Sequence, residues 1–222
     1  MEEHKVKIKR IEKVTHDVKR FIVDKPEGYS FISGQATEVA VSKKGWEDER
    51  RPFTFTSLNE DPHLEFTIKI YDDHGGVTHQ LGLLEPGDEL LLHDVWGAIR
   101  YKGPGVFIAG GAGVTPFISI LRMLAKQGKI SGNRLLFSNK TSKDIILREE
   151  FQKILGAGFV NTLTREDHPG HVSRRINKNF LKEKISDFSQ HFYVCGPQSF
   201  VEDISSSLKQ LGADPDSVVF EE

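Results

Sequence analysis

Cysteine is almost absent: among 222 residues only Cys195 carries a thiol. A single cysteine cannot form an intrachain disulfide or supply four thiolates to an iron–sulfur cluster, and such poverty points to a reducing compartment. Neither charge is in excess, because 30 Lys+Arg against 32 Asp+Glu leaves −2. A general polyanion binder would carry a basic surplus or a basic stripe. Long hydrophobic runs are missing too. The most apolar stretch, Val106 to Leu121, is interrupted by Gly110, Gly111, Gly113 and Pro116 and is too short to span a membrane. Met1 to Arg10 is charged and lacks the apolar core of a signal peptide. What is present, 37% hydrophobic and 28% charged residues, is ordinary for a folded soluble protein. The expectation is a cytoplasmic chain without metal.

The rhythm of the sequence changes near residue 100. Before it lie short runs rich in β-branched and aromatic residues: Val6, Ile8 and Ile11, then Phe21-Ile22-Val23, Glu38 to Val41, Phe53 to Thr56 and His63 to Ile70. Turn signals separate them, such as Pro26-Glu27-Gly28, Asn59-Glu60-Asp61-Pro62 and Pro86-Gly87-Asp88. Only Val77 to Leu84 reads as helix. This spacing predicts a small antiparallel β-barrel over 1–101. Over 102–222 strand and helix alternate: strand Val106–Ala109, helix Phe117–Lys126, strand Arg134–Phe137, helix from about Lys143 to Leu155 capped by Ser142, then strands Phe159–Leu163 and His191–Cys195. A last helix presents Phe200, Ile204, Leu208 and Leu211 on one face and stops at Gly212. That alternation predicts an α/β domain with a parallel sheet. The fold class is therefore two-domain, barrel then α/β.

Three loops carry candidate chemistry. Gly110-Gly111-Ala112-Gly113-Val114-Thr115-Pro116 stands between a strand and a helix. Its glycines let a phosphate approach the backbone, Thr115 suits an N-cap, and Pro116 suits the first helical turn. Free amides at a helix start attract a pyrophosphate; the alternative is a tight turn without a ligand. It departs from the usual dinucleotide fingerprint, because Pro116 replaces the third glycine. The acidic residue expected on the ribose is missing as well. Ser138-Asn139-Lys140 stands there instead, and a lysine suits a 2′-phosphate. Gly75-Gly76-Val77-Thr78 is a second glycine turn opening a helix, able to hold a phosphate by its amides and the Thr78 hydroxyl, though taken alone it reads more readily as a plain capped surface helix. Arg51-Pro52-Phe53-Thr54 places Arg51 and Phe53 on one face of a strand. There they suit a planar phosphorylated ligand or, alternatively, an ordinary half-buried strand.

Taken in order, these loops resemble the ferredoxin–NADP reductase family. Arg51-Pro52-Phe53-Thr54 resembles its R-x-Y-[ST] flavin motif, and Gly75-Gly76-Val77-Thr78 its flavin-phosphate motif. The Gly110–Pro116 loop resembles its nicotinamide-nucleotide loop, and Cys195-Gly196-Pro197 its C-G-P motif. The resemblance spans essentially the whole chain. It implies a barrel that binds FAD, an α/β domain that binds NADPH or NADH, and a flavin ring at their junction. Carried over by position, Arg51 neutralises the flavin pyrophosphate, Phe53 stacks on the isoalloxazine and Thr54 bonds flavin N5. Pro52 belongs to the same motif. The backbone of Ile68, Lys69, Ile70 and Tyr71 lies along the ribityl chain, while Gly75, Gly76, Val77 and Thr78 hold the phosphates. Gly111, Gly113, Val114 and Thr115 take the pyrophosphate of the nicotinamide nucleotide. Cys195, followed by Gly196 and Pro197, sits beside the nicotinamide; without the family context it reads as a small buried residue at a strand end.

Three departures accompany the resemblance. Phe53 replaces the motif's tyrosine. The chain stops at Phe220-Glu221-Glu222, where Glu221 stands either for the family's proton-relaying glutamate or for a solvated tail. Thr164-Arg165-Glu166 resembles the Ser-Arg-Glu of NADPH-dependent members, whereas His171 stands where bacterial members carry an arginine. Arg165 with Lys140 favours a 2′-phosphate dianion, hence NADPH. The expected partner is a separate ferredoxin, flavodoxin or similar carrier. The alternatives are service as the electron-transfer subunit of a larger enzyme, which in its cysteine-clustered form the lone Cys195 speaks against, or reduction of free flavin or quinone.

Overall fold

The computed structural model describes residues 3–73, 75–97, 99–167 and 172–214, and the backbone of 218–220. The chain divides into two compact units, 1–98 and 99–222.

The first unit is antiparallel. In β1 (His4–Lys13), Val6 and Ile8 are buried while Lys5, Lys7 and Lys9 are exposed, the period of two that a half-buried strand requires. β2 (Val18–Asp24), β3 (Ala36–Val41), β4 (Arg51–Thr54), β5 (His63–Lys69) and β6 (Glu89–Trp96) follow. β6 lacks alternation because Leu90, Leu91 and Leu92 are all buried, so it carries no strand signature of its own. The neighbours run β4-β3-β6-β1-β2-β5. Residues just past β4 join the two ends of this order. Phe55 bridges Phe66 of β5, and the Thr56 amide donates to the Glu65 carbonyl at 2.8 Å. Joining the ends removes the open edges at which other chains would pair. Inside, Phe55 stacks on Phe31 with centroids 4.2 Å apart and meets Phe66 at 5.2 Å. Helix α1 (Val77–Gly82) is shorter than the expected Val77–Leu84. It ends at Gly82, where a Cβ would sit 2.8 Å from Ile70 Cγ2. The Gly82 carbonyl accepts the Lys19 ammonium at 2.7 Å, a cation at a helix C-terminus.

The second unit runs β7 (Gly105–Gly110), α2 (Thr115–Lys126), β8 (Arg134–Asn139), α3 (Arg148–Leu155), β9 (Phe159–Leu163), α4 (Lys178–Lys184), β10 (His191–Cys195), α5 (Gln198–Gln210) and β11 (Val218–Phe220). The strands pair in parallel, in the order β11-β10-β7-β8-β9. Val106 and Ile108 of β7 share a core with Phe180 and Leu181 of α4 and with Ile204 and Leu208 of α5. Phe107, between them, meets Phe117 of α2 at 5.0 Å, and Phe137 meets Phe151 of α3 at 6.4 Å. Hence α2 and α3 cover one face and α4 and α5 the other, as right-handed crossovers dictate.

Three local expectations are corrected. Thr115 is not an N-cap: a 3₁₀ turn over Gly111–Val114 runs directly into α2, so Val114 before it is already helical. The predicted helix from Lys143 to Leu155 is broken. Ser142–Asp144 form a 3₁₀ turn, Leu147 takes φ +50°, and α3 starts only at Arg148. The cap of that turn is Thr141, not Ser142, because the Asp144 carboxylate accepts from both the Thr141 amide and its hydroxyl at 2.7 Å. Helix α4 goes unmarked by periodicity, with only Phe180 and Leu181 buried; its signal is the cap, where Asn177 accepts from the Phe180 amide at 3.0 Å.

Phe66 is fully buried where the ends of the barrel sheet meet. Phe66→Ala should cost about 3–5 kcal/mol of stability, read from urea unfolding; a loss below 1 kcal/mol would show that the seam does not depend on this ring.

Candidate functional site

In the second unit the strand order reverses at β7, which has β8 on one side and β10 on the other. Ligands of open parallel sheets bind at such a reversal, beyond the carboxyl ends of the strands. Two glycine-bearing loops emerge there, one after Gly110 and one after Cys195, which pairs in register with Ala109. They press backbone against backbone. A Cβ on Gly113 would lie 2.5 Å from the carbonyl of Cys195 and from the Gly196 Cα, and one on Gly110 would lie 3.1 Å from the Phe200 ring. Gly111 differs: it takes φ +54° and has nothing within 4 Å of a built Cβ. The glycines therefore divide between packing (Gly110, Gly113) and open space (Gly111). Val114 is buried, Thr115 is half-buried, and Cys195 is 5% exposed. Pro197 precedes α5 on the surface.

Lys140 and Arg165, far apart in sequence, are brought together by backbone bonding. The Thr164 amide donates to the Asn139 carbonyl and the Arg165 amide to the Lys140 carbonyl, each at 2.9 Å. Both cationic side chains are exposed and have no carboxylate partner among the described residues. Beside them the Glu166 carboxylate accepts the Ser142 amide at 2.7 Å and the Ser142 hydroxyl at 2.9 Å. Asn139, 4% exposed at the end of β8, leaves both side-chain polar atoms without a partner among the described residues. Neither the Glu166–Ser142 pairing nor the orphaned Asn139 amide is visible in a one-dimensional pattern. Glu221 and His171 lie outside the described residues.

In the first unit, Arg51 is exposed on β4, and its guanidinium donates only to the Arg50 carbonyl at 2.6 Å among the described residues. Pro52 is exposed, and Phe53 is half-buried against the barrel core. Thr54 is 6% exposed at the end of the same strand. At the start of α1, Gly75 takes φ +57°, and neither it nor Gly76 has anything within 4 Å of a built Cβ. Val77 is buried and Thr78 half-buried. An unshielded guanidinium, a half-buried aromatic ring and two glycines bordering open space are the groups a phosphorylated planar cofactor requires, so these residues fit one. On β5, Ile68 is buried and Tyr71 beyond it is exposed. Lys69 is engaged elsewhere: its ammonium bonds Asp17 at 2.7 Å and lies 5.7 Å from the Tyr71 ring centre. Only its backbone is left for a ligand along this strand.

An oxidoreductase FAD-binding domain family matches residues 5–101, and an oxidoreductase NAD-binding domain family matches 107–206. The chain belongs to the ferredoxin reductase-like family of flavin-dependent NAD(P)H oxidoreductases. Among its relatives in this family, NADH-cytochrome b5 reductase 2 of Mycosarcoma maydis is 29% identical over 93% of this chain and 65% of that protein. The reductase component of propane 2-monooxygenase from Rhodococcus jostii is 28% identical over 98% of this chain and 62% of that one. The chain thus spans less than two thirds of the length of these relatives. The FAD/NAD-binding domain of nitric oxide dioxygenase from Vibrio cholerae superposes with a TM-score of 0.86 at 23% identity, covering 97% and 96% of the two chains. A ferredoxin NADP+ reductase from Neisseria gonorrhoeae, solved with FAD and NADP, gives 0.83 at 22%, covering 95% and 92%. These superpositions establish the reductase-family fold. No helix among the described residues is long and apolar enough to cross a membrane.

The Asp17 that engages Lys69 has a titration consequence. Burial by itself raises its carboxyl, but hydrogen bonds from Lys69 and Thr15 outweigh that and hold it below the ordinary range. A carboxyl depressed in the folded state stabilises above its unfolded value of about 4. That contribution is lost as pH falls through the lower folded value. Asp17→Asn should therefore unfold at lower urea than wild type at pH 7, with the gap narrowing as the pH is taken below the ordinary carboxylate range and closing only below the depressed folded value. A gap that persists in acid would assign the effect to packing instead of charge.

Proposed function

We propose that this protein oxidises a reduced nicotinamide nucleotide, takes the hydride onto FAD, and passes the electrons to a separate redox protein. The observation that carries this reading is the pair of glycine turns, Gly75-Gly76 and Gly111, each at the start of a helix and bordering open space in its own unit. When bound, FAD supplies the hydride acceptor and releases electrons one or two at a time.

The chain's residues bind and orient. Arg51 offsets the charge of the flavin pyrophosphate, and Gly75, Gly76, Val77 and Thr78 offer it amides and a hydroxyl. Phe53 presents a ring face to the isoalloxazine, Pro52 sets the strand beside it, and the Thr54 hydroxyl bonds the flavin at N5. The backbone from Ile68 through Lys69 and Ile70 to Tyr71 flanks the ribityl chain. On the nucleotide side, the early 3₁₀ turn puts Gly111, which borders open space, nearest the pyrophosphate, while Gly113, packed against Cys195 and Gly196, shapes the turn, and Val114 and Thr115 follow. That is where a pyrophosphate gains from the positive end of α2. Cys195, Gly196 and Pro197 flank the nicotinamide, with Cys195 as a small polarisable wall. Holding donor and acceptor in fixed orientation is where the rate enhancement comes from. A proton-relaying role for Glu221 belongs to the same reading.

Lys140 and Arg165, coupled by backbone and without a carboxylate partner among the described residues, support NADPH as donor. Relatives named NADH-cytochrome b5 reductase support NADH as the second reading. The acceptor proposed is a ferredoxin, flavodoxin or similar carrier. Relatives that are reductase components of oxygenases support the neighbouring reading of a subunit within a larger system, and reduction of free flavin or quinone is a further one.

The anaerobic absorption spectrum of the purified protein tests the half-reaction. Flavin bands should bleach on adding NADPH at lower concentration than on adding NADH; no bands after incubation with FAD would overturn the reading, and equal titrations would remove the NADPH preference. Arg51→Ala should lose flavin on purification, and full loading would remove Arg51 from the phosphate site. Arg165→Ala should raise KM for NADPH about tenfold or more and leave NADH nearly unaffected, whereas equal effects would take Arg165 out of the 2′-phosphate pocket.

A further inference from the structure

The loop after β9 and the loop after β8 are joined by a set of hydrogen bonds. Thr164 and Arg165 donate their amides to the carbonyls of Asn139 and Lys140 at 2.9 Å each. Next in sequence, Glu166 spans the gap with its side chain, accepting the Ser142 amide at 2.7 Å on one oxygen and the Ser142 hydroxyl at 2.9 Å on the other. Its own carbonyl accepts the Ser173 hydroxyl at 3.3 Å, which ties the far limb of the same loop. Ser142 in turn is fixed, because it opens the 3₁₀ turn that Thr141 and Asp144 cap reciprocally. The carboxylate is thus held by charge-assisted bonds to a rigid point, while Arg165 and Lys140, one and two residues from its two ends, are exposed.

We propose that Glu166 is a positioning residue: a latch from the β9 loop to Ser142 that holds Arg165 beside Lys140 and so determines how tightly the nucleotide is held. The physical reason is entropy. Each long cation loses rotamer freedom on binding an anion, and a loop that must also be ordered adds to that cost. A latched loop presents the two backbones in register before the ligand arrives. The side chain bearing the latch is acidic, which by charge alone would oppose a phosphate; its value lies in the geometry it imposes. The inference rests on the nucleotide reading of Lys140 and Arg165 given above, and its test is chosen so that the two can fail separately.

The test uses the flavin-loaded protein with Glu166→Ala, Glu166→Gln and Ser142→Ala, the last of which removes the hydroxyl arm and leaves the charge. Amide hydrogen exchange is followed without nucleotide over the peptide containing Thr164 and Arg165, and steady-state constants are measured with NADPH and NADH. The expected result is exchange at least about tenfold faster in Glu166→Ala. With it, KM for NADPH should rise about fivefold, the scale of one lost hydrogen bond, with kcat nearly unchanged, an intermediate Glu166→Gln and a Ser142→Ala change of the same sign. Unchanged exchange in Glu166→Ala would overturn the latch. Faster exchange with KM unmoved for both nucleotides would overturn its role in positioning. A lower KM for NADPH in Glu166→Gln, with Ser142→Ala silent, would show that Glu166 acts by charge alone. If Arg165→Ala proves inert toward NADPH, the 2′-phosphate reading fails by itself. The exchange rates, with the KM for NADH, then still decide the latch.

Discussion

The nucleotide unit depends on one close approach, the backbone of Gly113 against that of Cys195 and Gly196. At 2.5 Å from a carbonyl there is no room for any Cβ, so this position excludes every other residue. Because the two loops touch there, the chain leaving β7 must turn at once. It does so through a 3₁₀ turn whose amides come four residues earlier than the α-helix proper. The same contact fixes Cys195 at the end of β10, in register with Ala109. A glycine that looks like a phosphate ligand in the sequence is thus first a packing residue. Gly111, which borders open space, is the one left to approach an anion.

The barrel solves a different problem. Its strands form one antiparallel sheet with two free ends, and these must be joined to leave no open edge. Phe55 and Thr56 do this by leaving β4 and pairing with β5, next to the Arg51–Thr54 segment. The flavin motif therefore lies on the chain that closes the barrel. Around the seam, polar groups are buried and mutually satisfied. The Thr56 hydroxyl donates to the Glu65 carboxylate at 2.8 Å, and the Glu65 amide donates to the Ser57 hydroxyl at 3.0 Å. A fully bonded network of this kind gives the seam one register instead of several.

Much of this was legible from residue order. Alternation in Val6–Ile8 and clustering in Phe21–Val23 marked barrel strands, and the strand–helix rhythm after Tyr101 marked the parallel sheet. Four short motifs in sequence marked the family. Illegible were features with no local signature. β6 is buried on both faces and so shows no alternation. α4 buries only two side chains. The break at Leu147, in left-handed conformation, interrupts a segment whose residues all tolerate helix. Tertiary context overrode propensity there, because Asp144 was taken as the cap partner of Thr141 and Glu166 closed on Ser142 from another loop.

Composition and motif order alone determined the class: a two-unit chain with a flavin half and a nucleotide half, carrying no disulfide. These follow from the sequence because turn glycines, strand alternation and the count of cysteines act locally or add up along the chain. The division of labour among the glycines, the engagement of Lys69 by Asp17, and the meeting of Lys140 with Arg165 were decided only in the tertiary structure. Each depends on which backbone comes within a few ångströms of which, and residues separated by 25 positions or more in the chain carry no record of that distance until the sheet has brought their ends together.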